Sequence, residues 1–158
     1  MKKLITILLI LIVTSACSDT KKNKPESNNA VIQANTDVFM SAKINGVKFY
    51  SDNPIYNKFD DQIDLYGISK DKSEKILFHI VYDNGPSTYN MGKATNKKGN
   101  MIYTHNNIPW IVSKHRGEGT ITLTEKGDYL IGEFSFSAKN DNITKQITEG
   151  KFKVKMNK

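Results

Sequence analysis

Residues 40–50 read Met40-Ser41-Ala42-Lys43-Ile44-Asn45-Gly46-Val47-Lys48-Phe49-Tyr50. Apolar and polar residues alternate on both sides of Asn45-Gly46, which is the period of a strand with one buried face. Asn-Gly supplies the two positive φ values of a type I′ turn, so the stretch predicts a two-residue hairpin. That register pairs Ile44 with Val47 and Ala42 with Phe49, placing the apolar residues on one face and the lysines on the other.

The same pattern continues toward the C-terminus. Strands are predicted at Ile63–Ile68, Ile76–Tyr82, Met101–His105, Ile108–Ser113, Gly119–Thr124, Leu130–Ala138, Ile143–Thr148 and Lys151–Met156. Between them lie turn formers such as Asp83-Asn84-Gly85-Pro86, Lys126-Gly127-Asp128 and Lys139 to Asn142. In Thr120–Thr124 the threonines share one face and Ile121 and Leu123 the other; at the C-terminus Phe152, Val154 and Met156 alternate with lysines. No stretch of this body carries a 3.6-residue apolar period over several turns. Short strands without crossover helices imply an all-β fold with antiparallel pairing, in a sandwich or a partly closed barrel. Residues 38–158 are the length of one domain and can bury a core without disulfides.

The N-terminus has a different grammar. Lys2 and Lys3 precede an uncharged stretch from Leu4 to Val13, followed by the small residues Thr14, Ser15 and Ala16 and then Cys17, the single cysteine of the chain. A basic region, an apolar region and a small-residue cleavage region in this order make an export signal. The apolar run is shorter than the roughly 20 residues a membrane span needs. With Cys17 directly after it, the segment resembles the bacterial lipoprotein signal, with Thr14 standing where an aliphatic residue is usual. The resemblance implies removal of residues 1–16, a diacylglyceryl group on the Cys17 sulfur and acylation of the new amino terminus. Residues 17–37, rich in Ser, Asn, Lys, Thr and Asp, then read as a lipidated cysteine and a disordered tether.

A second resemblance runs through the body. The hairpin Ala42-Lys-Ile-Asn-Gly-Val47, the strands Gly119-Thr-Ile-Thr-Leu-Thr124 and Gly132-Glu-Phe-Ser-Phe-Ser-Ala138, and the closing Ile147-Thr-Glu-Gly-Lys-Phe152 look like β-rich lipoproteins of Bacteroidota-type bacteria. That group carries no established activity, so what it implies is β architecture and a place in the cell envelope, with the outer membrane as the expectation.

Composition and motifs exclude several classes of function. The formal charge is +7; losing Lys2 and Lys3 with the signal leaves +5, spread as lysine with Arg116 the only arginine. Nucleic-acid readers cluster Arg and Lys on one element, so nucleic acid is not an expected partner. His79, His105 and His115 lack the close spacing of a zinc motif and have no second cysteine to join them, so no metal and no cofactor is expected. His79 reads as a packed, hydrogen-bonded strand residue. Asp60, Asp61 and Asp64 read as a solvated turn, since a glycosidase needs a second carboxyl across its substrate. No G-x-S-x-G elbow, Walker loop or dinucleotide fingerprint occurs, and no catalytic residue is assigned.

Tyr103 and Trp110 are the remaining candidates. If Asn106-Asn107 closes a two-residue hairpin, they stand directly opposite each other. Such a pair stabilises a sheet without any ligand, and that reading ranks first; the second is contact with a sugar face or a partner protein. The sequence therefore leads to a membrane-anchored envelope protein whose membrane contact is Cys17. Its body is expected to be a non-catalytic module binding an envelope protein, glycan or lipid. The alternatives are a structural accessory lipoprotein in envelope assembly and, ranked last, an envelope hydrolase.

Overall fold

The computed structural model describes residues 38–83, 85–92 and 99–157. The expected signal, Cys17 and the tether lie outside the described residues. Eleven strands follow in order among these described residues: β1 (Phe39–Ile44), β2 (Val47–Ser51), β3 (Ile55–Phe59), β4 (Gln62–Ile68), β5 (Glu74–Val81), β6 (Ser87–Gly92), β7 (Gly99–His105), β8 (Ile108–Val112), β9 (Glu118–Lys126), β10 (Tyr129–Asn140) and β11 (Ile143–Lys155). All pairings are antiparallel, and no helix occurs among the described residues.

The first hairpin has the predicted register, with Ile44 opposite Val47 and Ala42 opposite Phe49 around Asn45 (φ 47) and Gly46 (φ 85). Val47 nevertheless remains 69% exposed, because it sits where the strand ends beyond the core. The β7–β8 turn uses Asn106 (φ 48) and Asn107 (φ 65), both left-handed as a type I′ turn requires.

The main ladder runs β2-β1-β11-β10-β8-β7-β5-β4-β3. β10 is the branch point: one of its edges carries β11, while the other carries β9 along Tyr129–Ser137 and β8 at Lys139. β6 extends the branch by pairing with β9. The sheet coils until strands far apart in the ladder meet through its interior. Phe78 of β5 contacts Phe134 and Phe136 of β10 edge-on, at centroid distances of 4.8 and 5.9 Å.

The two ends of the ladder also approach each other. The Ile68 N–H of β4 donates to Ser51 Oγ of β2 at 3.1 Å, and Asn157 Nδ2 donates to the Tyr56 carbonyl of β3 at 3.3 Å. These are isolated bonds and not a ladder, so of the two architectures left open by the sequence the partly closed barrel is the one formed. Ser51 is a buried polar side chain of the core, and it is satisfied by this bond.

Two features of β10 and β11 produce the bend. Between Ser41 and Lys43, β11 runs from Lys151 to Thr148; between Phe134 and Phe136 it runs from Gly150 to Ile147. On both sides the extra residue lies in β11, a bulge with Glu149 at φ 52. Residues 143–148 and 151–156, predicted as separate strands, are therefore one bent strand with Glu149-Gly150 absorbed into it. Around the bulge, glycines face aromatic rings across the ladder: Gly150 opposite Phe134, Gly132 opposite Phe152, and Gly119 opposite Phe136. A Cβ on Gly150 would lie 2.3 Å from the Phe134 ring, and one on Gly132 2.0 Å from the Thr122 carbonyl oxygen and 2.7 Å from the Phe152 ring. The rings fill the space the glycines leave, which is aromatic rescue of strand glycine.

Gly132→Ala and Gly150→Ala are each expected to lower the unfolding free energy by about 1–3 kcal/mol through overpacking. Urea titration checks this, and unchanged midpoints would contradict the packing described.

Candidate functional site

Tyr103 and Trp110 are direct cross-strand partners, with ring centroids 5.7 Å apart and planes at 35°. They occupy inward positions of β7 and β8, in line with Met101 and Val112, and only 2% and 7% of their surface is exposed. Neither ring face is presented to solvent, so the pair is part of the core and not an exposed edge platform. The Tyr103 hydroxyl donates to Glu74 Oε1 at 2.5 Å. Burial, and then this hydrogen bond to a carboxylate, push the Tyr103 phenol far above its ordinary value of 10.0. Glu74 starts β5, twenty-nine residues before Tyr103 in sequence, and no short-range signal pairs them.

Trp110 differs from Tyr103 in one respect. Among the described residues its indole Nε1 is buried without a hydrogen-bond partner, and so is His105 Nδ1, which lies 3.8 Å from Glu74 Oε1 and beyond hydrogen-bonding reach. Lys145 of β11 places its Nζ 5.2 Å from the Trp110 ring centroid. Nearby, the β4–β5 turn, the β2–β3 connection and Asn107 border a depression of ≈ 440 Å³ with Ser51, Ile55, Ser69, Glu74 and Thr104 on its walls. Within that turn the Ser69 hydroxyl, then the Ser73 N–H and hydroxyl, hold the Asp71 carboxyl below the usual carboxylate range.

The other sequence candidates fall elsewhere. Asp60-Asp61 form the β3–β4 turn, with Asp60 at φ 50. Asp64 is the cross-strand neighbour of His79, and His79 Nδ1 lies 2.6 Å from Asp64 Oδ1. His79 is thus hydrogen-bonded as expected but half-exposed, on the outward face between inward-facing Phe78 and Ile80. His105 ends β7 and His115 lies in the turn bridged by Ser113 and Arg116. Among the described residues no three His, Cys, Asp or Glu side chains gather as metal ligands do.

The outward face of β9–β11 has a different chemistry. A trough of ≈ 450 Å³ is bordered by Asn90, Thr120, Ser135, Ser137, Gln146 and Thr148. Its side chains bond mainly among themselves, Thr120 Oγ1 to Asn90 Oδ1 at 2.9 Å and Gln146 Nε2 to Ser137 Oγ at 3.2 Å. Alternation made the Thr120–Thr124 part of this face visible in the sequence; its neighbours on β6 and β11 become visible only with the register.

With the architecture defined, residues 28–154 match the family described as a domain of unknown function, DUF6252. The match spans most of the chain, and the chain belongs to that family. No curated protein and no solved structure matches it.

The raised Tyr103 phenol sets a pH dependence. The folded state holds the protonated form, so its contribution is complete below about pH 10 and is lost as pH rises above the unfolded value. Thermal unfolding between pH 8 and 12 should show this alkaline decline, and Tyr103→Phe should make it shallower; identical slopes would contradict the Tyr103–Glu74 assignment.

Proposed function

We propose that this chain is a lipid-anchored protein of the bacterial cell envelope, attached to a membrane through Cys17, whose β domain acts by binding and not by catalysis. The observation that carries this reading is the order of residues 2–17: two lysines, an apolar run, three small residues and the single cysteine. An internal disulfide needs a second cysteine, which the chain lacks. Lipid chemistry gives the position of Cys17 a purpose. Each buried methylene contributes about 0.8 kcal/mol, so one acyl chain binds reversibly while two or three hold stably.

The β domain supports a binding role through its surface. Polar groups are displayed on its outward face, as in the trough along β9–β11, and aliphatic side chains stay exposed beside its turns. The His79–Asp64 pair is read as structural: it is half-exposed on the outside of the sheet, in a position where such pairs contribute about 0–1 kcal/mol.

Fractionation of cells expressing the wild type and Cys17→Ala tests the anchor. The wild type is expected in the membrane fraction and the variant largely outside it. Equal membrane association of the two would overturn the reading.

A further inference from the structure

Six large apolar side chains are exposed among the described residues, and four of them belong to one margin of the sheet: Val47 at 69%, Ile143 at 60%, Ile108 at 50% and Ile68 at 38%. Val47, Ile108 and Ile143 each directly follow a two-residue hairpin turn, and Ile68 directly precedes the β4–β5 turn. The four turns are continuous. Asn45 N–H donates to the Gln146 carbonyl at 2.8 Å, Asn140 Nδ2 to the Pro109 carbonyl at 2.9 Å, and Asn106 N–H to the Ser73 carbonyl at 2.8 Å. At about 4.8 Å per strand, the row spans roughly 30 Å along the coiled sheet.

Exposed aliphatics recurring at each successive turn are not the scatter expected of a solvated surface. A second observation lies beneath them. Trp110, next but one after Ile108 in β8, is more than nine-tenths buried and keeps an indole N–H without a partner among the described residues.

We propose that this margin is a contact surface for an anionic lipid bilayer, with Val47, Ile68, Ile108 and Ile143 at the headgroup–acyl boundary. Charge selects this occupant. Lys70 and Lys72 stand in the β4–β5 turn itself, Lys139 and Lys145 flank the β10–β11 turn that holds Asp141, and Lys145 lies over the Trp110 ring. The acid between the first two, Asp71, is already occupied by Ser69 and Ser73. Aliphatic tips with lysines beside them are the composition of an interfacial contact with anionic lipid. The polar turn residues Asn45, Asn106 and Asn142 suit the headgroup layer.

The choice of lipid over a protein surface rests on the anchor reading, which places the domain beside a bilayer. Residues 18–37 span at most about 70 Å when extended, ample for either end of the domain to reach it. A weak surface contact then gains from the high local concentration an anchor creates.

Trp110 is the only tryptophan of the chain, so its fluorescence reports on this margin alone. The test uses the full chain carrying Cys17→Ser, with and without the additional changes Val47→Ser, Ile108→Ser and Ile143→Ser. Each is mixed with vesicles of phosphatidylglycerol or phosphatidylcholine bearing brominated acyl chains. Both proteins share residues 1–37, so whatever that segment contributes is common to them.

The expected result is quenching of Trp110 by brominated phosphatidylglycerol, weaker with phosphatidylcholine, and about tenfold or more reduced in apparent affinity by the serine changes. Thermal unfolding verifies that the triple variant is folded; if its midpoint falls, Ile143→Ser alone takes its place. Absent quenching, or equal quenching in parent and variant, would overturn the proposal. So would a Trp110 change that follows protein concentration without lipid, which would assign the margin to a second copy of the chain. Because position 17 is serine in both proteins, neither can be lipidated there, and these outcomes are independent of whether Cys17 is lipidated.

Discussion

The ring of Phe134 occupies the space that a side chain at position 150 would need, and the ring of Phe152 does the same at position 132. This exchange of aromatic bulk for backbone approach sits at the bulge in β11, where Glu149 adopts φ 52. A bulge bends a strand and increases its twist, and β11 and β10 are the longest strands of the sheet. The bend in this pair therefore propagates to everything paired with it. It allows β9 and β6 to diverge from β8 along one edge of β10. It also brings Phe78 across the interior onto Phe134 and Phe136, and the β1–β2 hairpin to within one hydrogen bond of β4.

Much of this was legible in the sequence where the determining chemistry is local. Asn45-Gly46 and Asn106-Asn107 fix the registers of their hairpins through the φ values they accept, so the Tyr103–Trp110 pairing follows without knowledge of the rest. β3 and β6 are not legible in the sequence, for a physical reason. Each is short and begins next to a proline, Pro54 or Pro86, and they bury little apolar surface: Tyr56 in one, Tyr89 and Met91 in the other. Their strand character comes from the neighbours they pair with and not from their own pattern. Glu149-Gly150 was misleading in the opposite sense. It reads as punctuation between strands, yet a bulge uses the same residue types to bend one strand without ending it.

The candidate site follows the same division. That Tyr103 and Trp110 face each other is local information; that both are buried depends on β5 covering Tyr103 and β11 reaching Trp110 with Lys145. The Glu74 that receives the Tyr103 hydroxyl, and the Asp64 beside His79, are cross-strand neighbours that exist only in the folded register. The row of exposed aliphatics is also hidden in the sequence. Val47, Ile108 and Ile143 look like core residues by alternation, and only the ending of the sheet at its turns leaves them uncovered. The DUF6252 family is thus represented here by a coiled β domain whose visible specialisations are at its surface. Cys17, through which the proposed attachment would run, lies outside the described residues.

The proposed membrane attachment depends on that cysteine, and intact mass of the protein extracted from membranes examines it directly. A chain lacking residues 1–16 and carrying acyl mass at Cys17 is the predicted result. A chain of unmodified mass, or one cut elsewhere with a free Cys17 thiol, would contradict it and leave the β domain as an exported protein held by other means.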